Sequence, residues 1–437
     1  MIMQIIGPYT AIIGISLVII LSYFFNIISQ KTNIPSVLLL IVLGILTKQG
    51  MNMIELKVPE SQLFNALELL GIVGLIMIVL EAALDLELTK EKWPTIWKSF
   101  SVALISLLGS TAILAYIINF FLIDSVFTSI LYAVPLSVMS SAIIIPSVGG
   151  LGTEKKEFMV YEGTFSDILG IMLFYFLTGN AETESTQLIV LDVISNIGIT
   201  VVLSLIISYA LVLIFQKLNS SVKLFLLIAV LLMLYSVGKL FHLSSLIIIL
   251  VFGLVLNNYK IFFRGFMKKW INKNSLKKVS NEFHLVTMES AFVVRTFFFV
   301  LFGVTITLQS LFNLKVAMIS GLILLGLYVV RFIVLKVFVQ RDILPQLFLA
   351  PRGLITILLF FAIPTEYQVD NFDSGILLYT IIISCIIMAV SLVASGKRIE
   401  PVEDMSFIYG PKVENEVESM PVVEQNSEKK DDLIDEK

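Results

Sequence analysis

An all-α membrane protein crossing the bilayer about thirteen times is the fold class this sequence predicts. Three observations predict it. Apolar windows of bilayer-spanning length recur along almost the whole chain, the loops between them sort Lys and Arg to one side, and ionisable residues inside the windows are few. Composition agrees: 57% of the 437 residues are hydrophobic and 14% are charged, whereas a soluble domain is about 25% charged. The mean hydropathy is +0.96.

The window cores, in order, are 8–29, 34–48, 64–84, 95–122, 126–148, 156–178, 188–216, 222–240, 243–257, 285–310, 314–338, 345–365 and 373–395. The second and ninth are short. The first is read as a retained span, because Met1–Tyr9 lacks a basic stretch and a clear cleavage site. An odd number of crossings puts the two ends on opposite sides. With the C-terminus inside, the inner loops hold Lys31, Lys90, Lys92, Lys98, Lys155, Lys156, Lys217, Lys223, Arg341, Lys397 and Arg398. One further inner loop holds Lys260, Arg264, Lys268, Lys269, Lys273, Lys277 and Lys278, while the outer loops hold only Lys48, Lys57, Lys239 and Lys315. That is a strong positive-inside bias, and it places the N-terminus outside the cell's inner (plasma) membrane.

Between the ninth and tenth windows, residues 258–281 mix Phe and Trp with Lys and Arg. They read as an amphipathic helix lying on the inner leaflet, with a solvated basic loop as the alternative. One transmembrane domain thus covers 1–395. From Gly396 to the end the composition turns polar and charged, as in Glu428-Lys429-Lys430-Asp431-Asp432, and 396–437 reads as an acidic, disordered cytoplasmic tail.

Several classes are excluded. The single Cys385 allows no disulfide framework or cysteine-based metal site within one chain, and His242 and His284 are too few for a histidine-rich one. No glycine-rich nucleotide fingerprint follows the membrane part, and neither H-E-x-x-H nor G-x-S-x-G occurs, so no enzyme class, cofactor or nucleic-acid partner is indicated.

The chemistry lies in Tyr161-Glu162-Gly163-Thr164-Phe165-Ser166-Asp167, inside the sixth window. A central Asp costs about 2.5–3.5 kcal/mol on insertion, so such groups mark places where a cation or proton is held. One carboxylate starved of water holds a proton or a monovalent cation, never both, and that competition couples two fluxes. Ser166, beside Asp167, adds a hydroxyl able to help coordinate a bare cation. In the fifth window Pro135 and Pro146 bracket Ser140 and Ser141, where an opened helix frees carbonyls beside an ion site. Leu349-Ala350-Pro351-Arg352-Gly353-Leu354 and Pro364 echo this in the twelfth window, so spans 1–6 and 8–13 are expected to form an inverted repeat. Glu81, Arg295, Arg331 and Arg352 also lie within windows. Each needs a partner or a reach to the interface, with snorkelling an open alternative for Glu81 and Arg352. Glu162 with Arg331 is the preferred bridge.

Taken together, these motifs resemble the monovalent cation/proton antiporter superfamily, in particular its NhaP-like sodium/proton exchanger branch. Ile34-Pro35-Ser36-Val37-Leu38-Leu39-Leu40 through Gly44 is similar to that family's early span, and Gly74 to Leu88 to its glutamate-bearing third span. Glu162 to Asp167 resembles its E-S-L-L-N-D signature. Arg295-Thr296-Phe297-Phe298-Phe299-Val300 resembles its R/K-T-F-F-F-V segment, Arg331 a span-eleven arginine, and Arg352-Gly353 its R-G motif. The resemblance implies that Asp167 binds the transported cation or proton, that Glu162 and Arg331 form a structural bridge, and that the chain is a homodimer in membrane lipid. Two features depart from the family pattern. Ser140-Ser141-Ala142 stands where T-D-P is common and is similar to the S-S-T-A of glutathione-gated potassium-efflux relatives, and Ser166 replaces an Asn. In this superfamily a neutral residue before the Asp accompanies electroneutral exchange. The reading is therefore one sodium, potassium or lithium ion exchanged for one proton, with a gated potassium-efflux channel as the alternative.

Overall fold

The computed structural model describes residues 8–396 apart from 33, 54–59, 87, 89–90, 180–185, 218–222, 241–244, 307–312, 341 and 370–371. The expected tail lies outside the described residues from 397 onward, as does His242. Among the described residues the chain is helical: α1 (Pro8–Thr32), α2 (Ser36–Met53), α3 (Glu60–Asp85), α4 (Trp93–Phe121), α5 (Val126–Ser137), α6 (Ser141–Ile144), α7 (Thr153–Gly179), α8 (Thr186–Phe215), α9 (Lys223–Leu240), α10 (Ser245–Asn257), α11 (Tyr259–Phe262), α12 (Lys273–Thr305), α13 (Leu314–Phe338), α14 (Leu354–Phe361) and α15 (Gly375–Ala394). Ten of the described helices are long and apolar enough to cross a bilayer, and 224–238 and 245–257 are shorter apolar helices.

The helices fall into two bundles by their packing. In the first, α12 lies along α2 and α3, α10 packs on α3, α8 and α9, and α1 covers α2 and α12. In the second, α4 packs on α5, α7 and α13, α15 packs on α13, and α14 touches α5 and α7. Their principal meeting is α3 against α14 and α7. Small residues let helices close up where no hydrophobic force acts between them. A Cβ on Gly44 would lie 2.1 Å from the Val300 carbonyl oxygen, and one on Gly303 would lie 2.3 Å from that of Ile41, so α2 and α12 touch backbone to backbone.

Two segments are interrupted at depth, and they cross. The first runs as α5, leaves helical geometry at 138–140, and resumes as α6 and a 3-10 turn at Ile145–Ser147. Pro135 sits inside α5 and Pro146 inside that turn, so the break falls between the two prolines. The second has turns at 344–348, extended chain at 349–353, then α14. At the crossing the Ser140 amide donates to the Pro351 carbonyl at 2.9 Å. Gly353 leaves no room there: a Cβ would meet Ser140 Oγ at 2.8 Å and Ile143 Cδ1 at 2.7 Å.

One expected element is different. Residues 258–281 do not form a single surface helix. They make the one-turn α11, a 3-10 turn over Gly265–Trp270, and the start of α12. Gly265 takes a left-handed φ of +60° that ends one piece. The Asn272 side chain then accepts from the amides of Asn274 and Ser275 and caps a new helix, so 273–284 extend the tenth window downward.

Candidate ion-binding site

The break in the first interrupted segment faces α7. Asp167 is 1% exposed. Its Oδ2 accepts from the Ser141 amide at 3.1 Å and from the Ser141 hydroxyl. The first amides of a helix have no intrahelical partner, and the break presents Ser141 in this state to a carboxylate. Oδ1 is buried and has no hydrogen-bond partner among the described residues; the same holds for Ser140 Oγ and Thr164 Oγ1. Thr164 lies three residues before Asp167, so the two side chains neighbour each other on α7. The sequence reading passed over Thr164, although this spacing was the available signal. Ser166 is engaged elsewhere: its Oγ accepts from the Met139 amide at 2.9 Å. Gly163 lets α7 approach, since a Cβ there would lie 3.3 Å from Ser141 Cα.

Further charged groups surround this centre. Arg331, from α13, meets Glu162 two-pronged, Nη1 to Oε1 at 2.6 Å and Nη2 to Oε2 at 3.0 Å. Its Nε also donates to the carbonyls of Gln346 and Leu347 at 3.2 and 3.1 Å, so one guanidinium ties α7 and α13 to the second interrupted segment. Both side chains are buried.

Arg352 does not reach the interface. It is 5% exposed, and it donates to the carbonyls of Leu136 at 3.0 Å, Ser137 at 3.3 Å and Ala350 at 2.5 Å. The last carbonyls of α5 carry the negative end of its dipole and are left open by the break, which makes them partners for a cation. Glu81 lies 3.6 Å from Arg295 across α3 and α12, with both side chains partly exposed. Arg295 Nη1 also donates to the Ala142 carbonyl at 3.2 Å, next to Ser141. The sequence reading missed one pair altogether: Asp85 and His284 meet at 2.8 Å, one turn below Glu81. Asp85 closes α3 and looked like a loop residue. Phe298 and Phe299, beside Arg295, are buried in the core.

Curated proteins contain no match to this chain. Among the solved structures that are similar, two are of one antiporter. One is the sodium proton antiporter MjNhaP1 from Methanocaldococcus jannaschii at pH 8, with a TM-score of 0.64 and 20% identity over 91% of this chain and 99% of that one. The other is an electron-microscopy map of the same antiporter, with a TM-score of 0.64 and 21% identity over 89% and 96% of the two chains. At such identity the likeness is one of fold. Residues 15–396 match the family model described as sodium/hydrogen exchanger, transmembrane. That match spans most of the chain and all of the groups described above, and the chain belongs to the sodium/hydrogen exchanger family.

Proposed function

We propose that this protein exchanges one sodium ion for one proton by competition at Asp167. The observation that carries the reading is a buried carboxylate with one oxygen held by Ser141 and the other, among the described residues, without a hydrogen-bond partner. Ser140, Thr164 and the open Oδ1 supply oxygen for a cation that has shed water, and a proton on Asp167 occupies the same place. Glu162 and Arg331 act as the structural bridge.

Charge counting supports an electroneutral cycle. Glu81, Glu162 and Asp167 balance Arg295, Arg331 and Arg352, so these six groups sum to zero when Asp167 is ionised, with the Asp85–His284 pair outside this count. A bound proton and a bound monovalent cation each bring the sum to the same single positive charge. The two halves then carry equal charge in opposite directions, so the membrane potential does no net work over the full cycle.

In this reading the chain crosses the plasma membrane thirteen times as two inverted repeats, N-terminus outside, and works as a homodimer. Access to Asp167 alternates as α5, α6, α7, α14 and α15 move against the first bundle. The test is reconstitution in liposomes with a pH-sensitive dye, followed by addition of sodium, lithium or potassium. Proton movement should reverse with the imposed cation gradient and vanish in Asp167→Asn. A pH response that survives that substitution would falsify the role of Asp167. Cation flux indifferent to protons would instead indicate a channel.

A further inference from the structure

Beside the Glu162–Arg331 pair lies a small cavity that exchange at Asp167 does not use. Ser106 and Ser110 of α4, Glu162 and Ser166 of α7, Arg331 of α13, and Arg352 contribute to its lining. Each serine or acid pair is spaced by four residues, so each shares one helix face, and α4 packs along α7. Two short polar stripes therefore meet inside an apolar bundle.

Two hydroxyls there are under-used. Ser106 Oγ is buried with no hydrogen-bond partner among the described residues. Ser166 Oγ accepts the Met139 amide, which engages a lone pair and leaves its own proton to be donated. Two guanidiniums against one carboxylate make the site repel a metal cation. The cavity measures about 20 Å³. Roughly 10–15 Å³ of such space holds one water when two to four polar groups surround it, whereas cavities that stay dry are lined by apolar groups.

We propose that this cavity is a fixed hydration site, occupied by one water molecule that bridges Ser106 and Ser166 beside the two arginines. The water accepts the Ser166 proton and donates to Ser106. Ser166, so fixed, holds the Met139 amide, and with it the break that offers Ser141 to Asp167. Ser106 is then a positioning residue, acting on the ion site through the water and Ser166 rather than by contact.

A map of the wild-type protein sharp enough to show ordered water tests this directly. Density within hydrogen-bond distance of both Ser106 Oγ and Ser166 Oγ is expected, and a clear map with nothing there overturns the proposal. Ser106→Val fills the space with methyl groups. It should remove the density and raise the apparent KM for sodium by about three-fold or more, with the maximal rate within about two-fold of wild type. An unchanged KM overturns the positioning role. The transport arm rests on the exchange reading. The wild-type map does not, so absence of exchange in wild-type liposomes counts against that reading alone. Should Ser106→Val fail to fold, Ser106→Ala in the same map must lose or shift the density, and density unmoved by it counts against the proposal.

Discussion

Asp167 and Arg331 make opposite demands on experiment, because the proposed exchange gives the first a role in chemistry and the second a role in stability. Asp167→Asn keeps the shape and the Ser141 contact while removing the titratable charge. Coupled exchange should fall to background in the liposome assay while the protein elutes and melts like wild type. If proton and cation compete for one carboxylate, lowering the pH should raise the apparent sodium KM and leave the maximal rate at saturating sodium unchanged, as initial rates across a pH series would record. Arg331→Ala leaves the Glu162 carboxylate buried and unpaired, and breaking such a pair costs about 3–5 kcal/mol. The expected outcome is a markedly lowered melting temperature in detergent, with part of the loss recovered in a Glu162→Leu/Arg331→Met double variant. A melting curve for Arg331→Ala that overlays wild type would contradict this placement. At this scale, depth in an apolar window was enough to single out Asp167, Glu162 and Arg331 from the sequence. The partners of Glu81 and Arg352 were not legible. A window shows that a charge is costly without saying which neighbouring helix carries its partner, and Arg352 is satisfied by carbonyls, which leave no trace in residue type.

Between elements, geometry is decided by small residues and open helix ends. Gly44→Ala puts a methyl group where the Val300 carbonyl oxygen and Gly303 stand. Forcing atoms into a packed interface costs about 1–3 kcal/mol. Thermal denaturation should show that loss, whereas Gly14→Ala, with nothing within 4 Å of the new carbon, should be neutral. The interruption of the fifth window was readable from Pro135, Pro146 and the serines between them. The crossing with the second interrupted segment was suggested only by the echo of Pro351 and Gly353. The basic segment 258–281 was misjudged because its amphipathic composition suits a surface helix and the start of a long crossing helix equally well. The cap at Asn272 and the turn at Gly265 decide between them, and both are local signals that composition averages away.

For the molecule as a whole, two measurements bear on the cycle and its orientation. Clamping the potential with a potassium ionophore should leave the rate of sodium-driven proton movement unchanged, and a steep dependence on voltage would rule out one-for-one exchange. Cys385, the only cysteine in the sequence, is fully buried, so single cysteines placed elsewhere report on sidedness against a quiet background. In intact cells an impermeant maleimide should label Asp124→Cys and spare Glu154→Cys, both of which are exposed positions. The reverse pattern would invert the membrane orientation read from the lysines. The helical fold, and the run of apolar windows behind it, were plain from hydropathy and loop charge. The division into two bundles was not, because every lipid-compatible helix looks alike until its neighbours are known.

The contact of Gly44 with Gly303 acts as a rivet. Helices joined backbone to backbone cannot slide past each other by the width of a side chain, so α2 and α12 travel together or not at all. Any slippage that opens Asp167 to one side and then the other must run along the seam between the bundles. Arg295 reaches over that seam to the Ala142 carbonyl, and in the proposed cycle this link lets go and re-forms with each turnover.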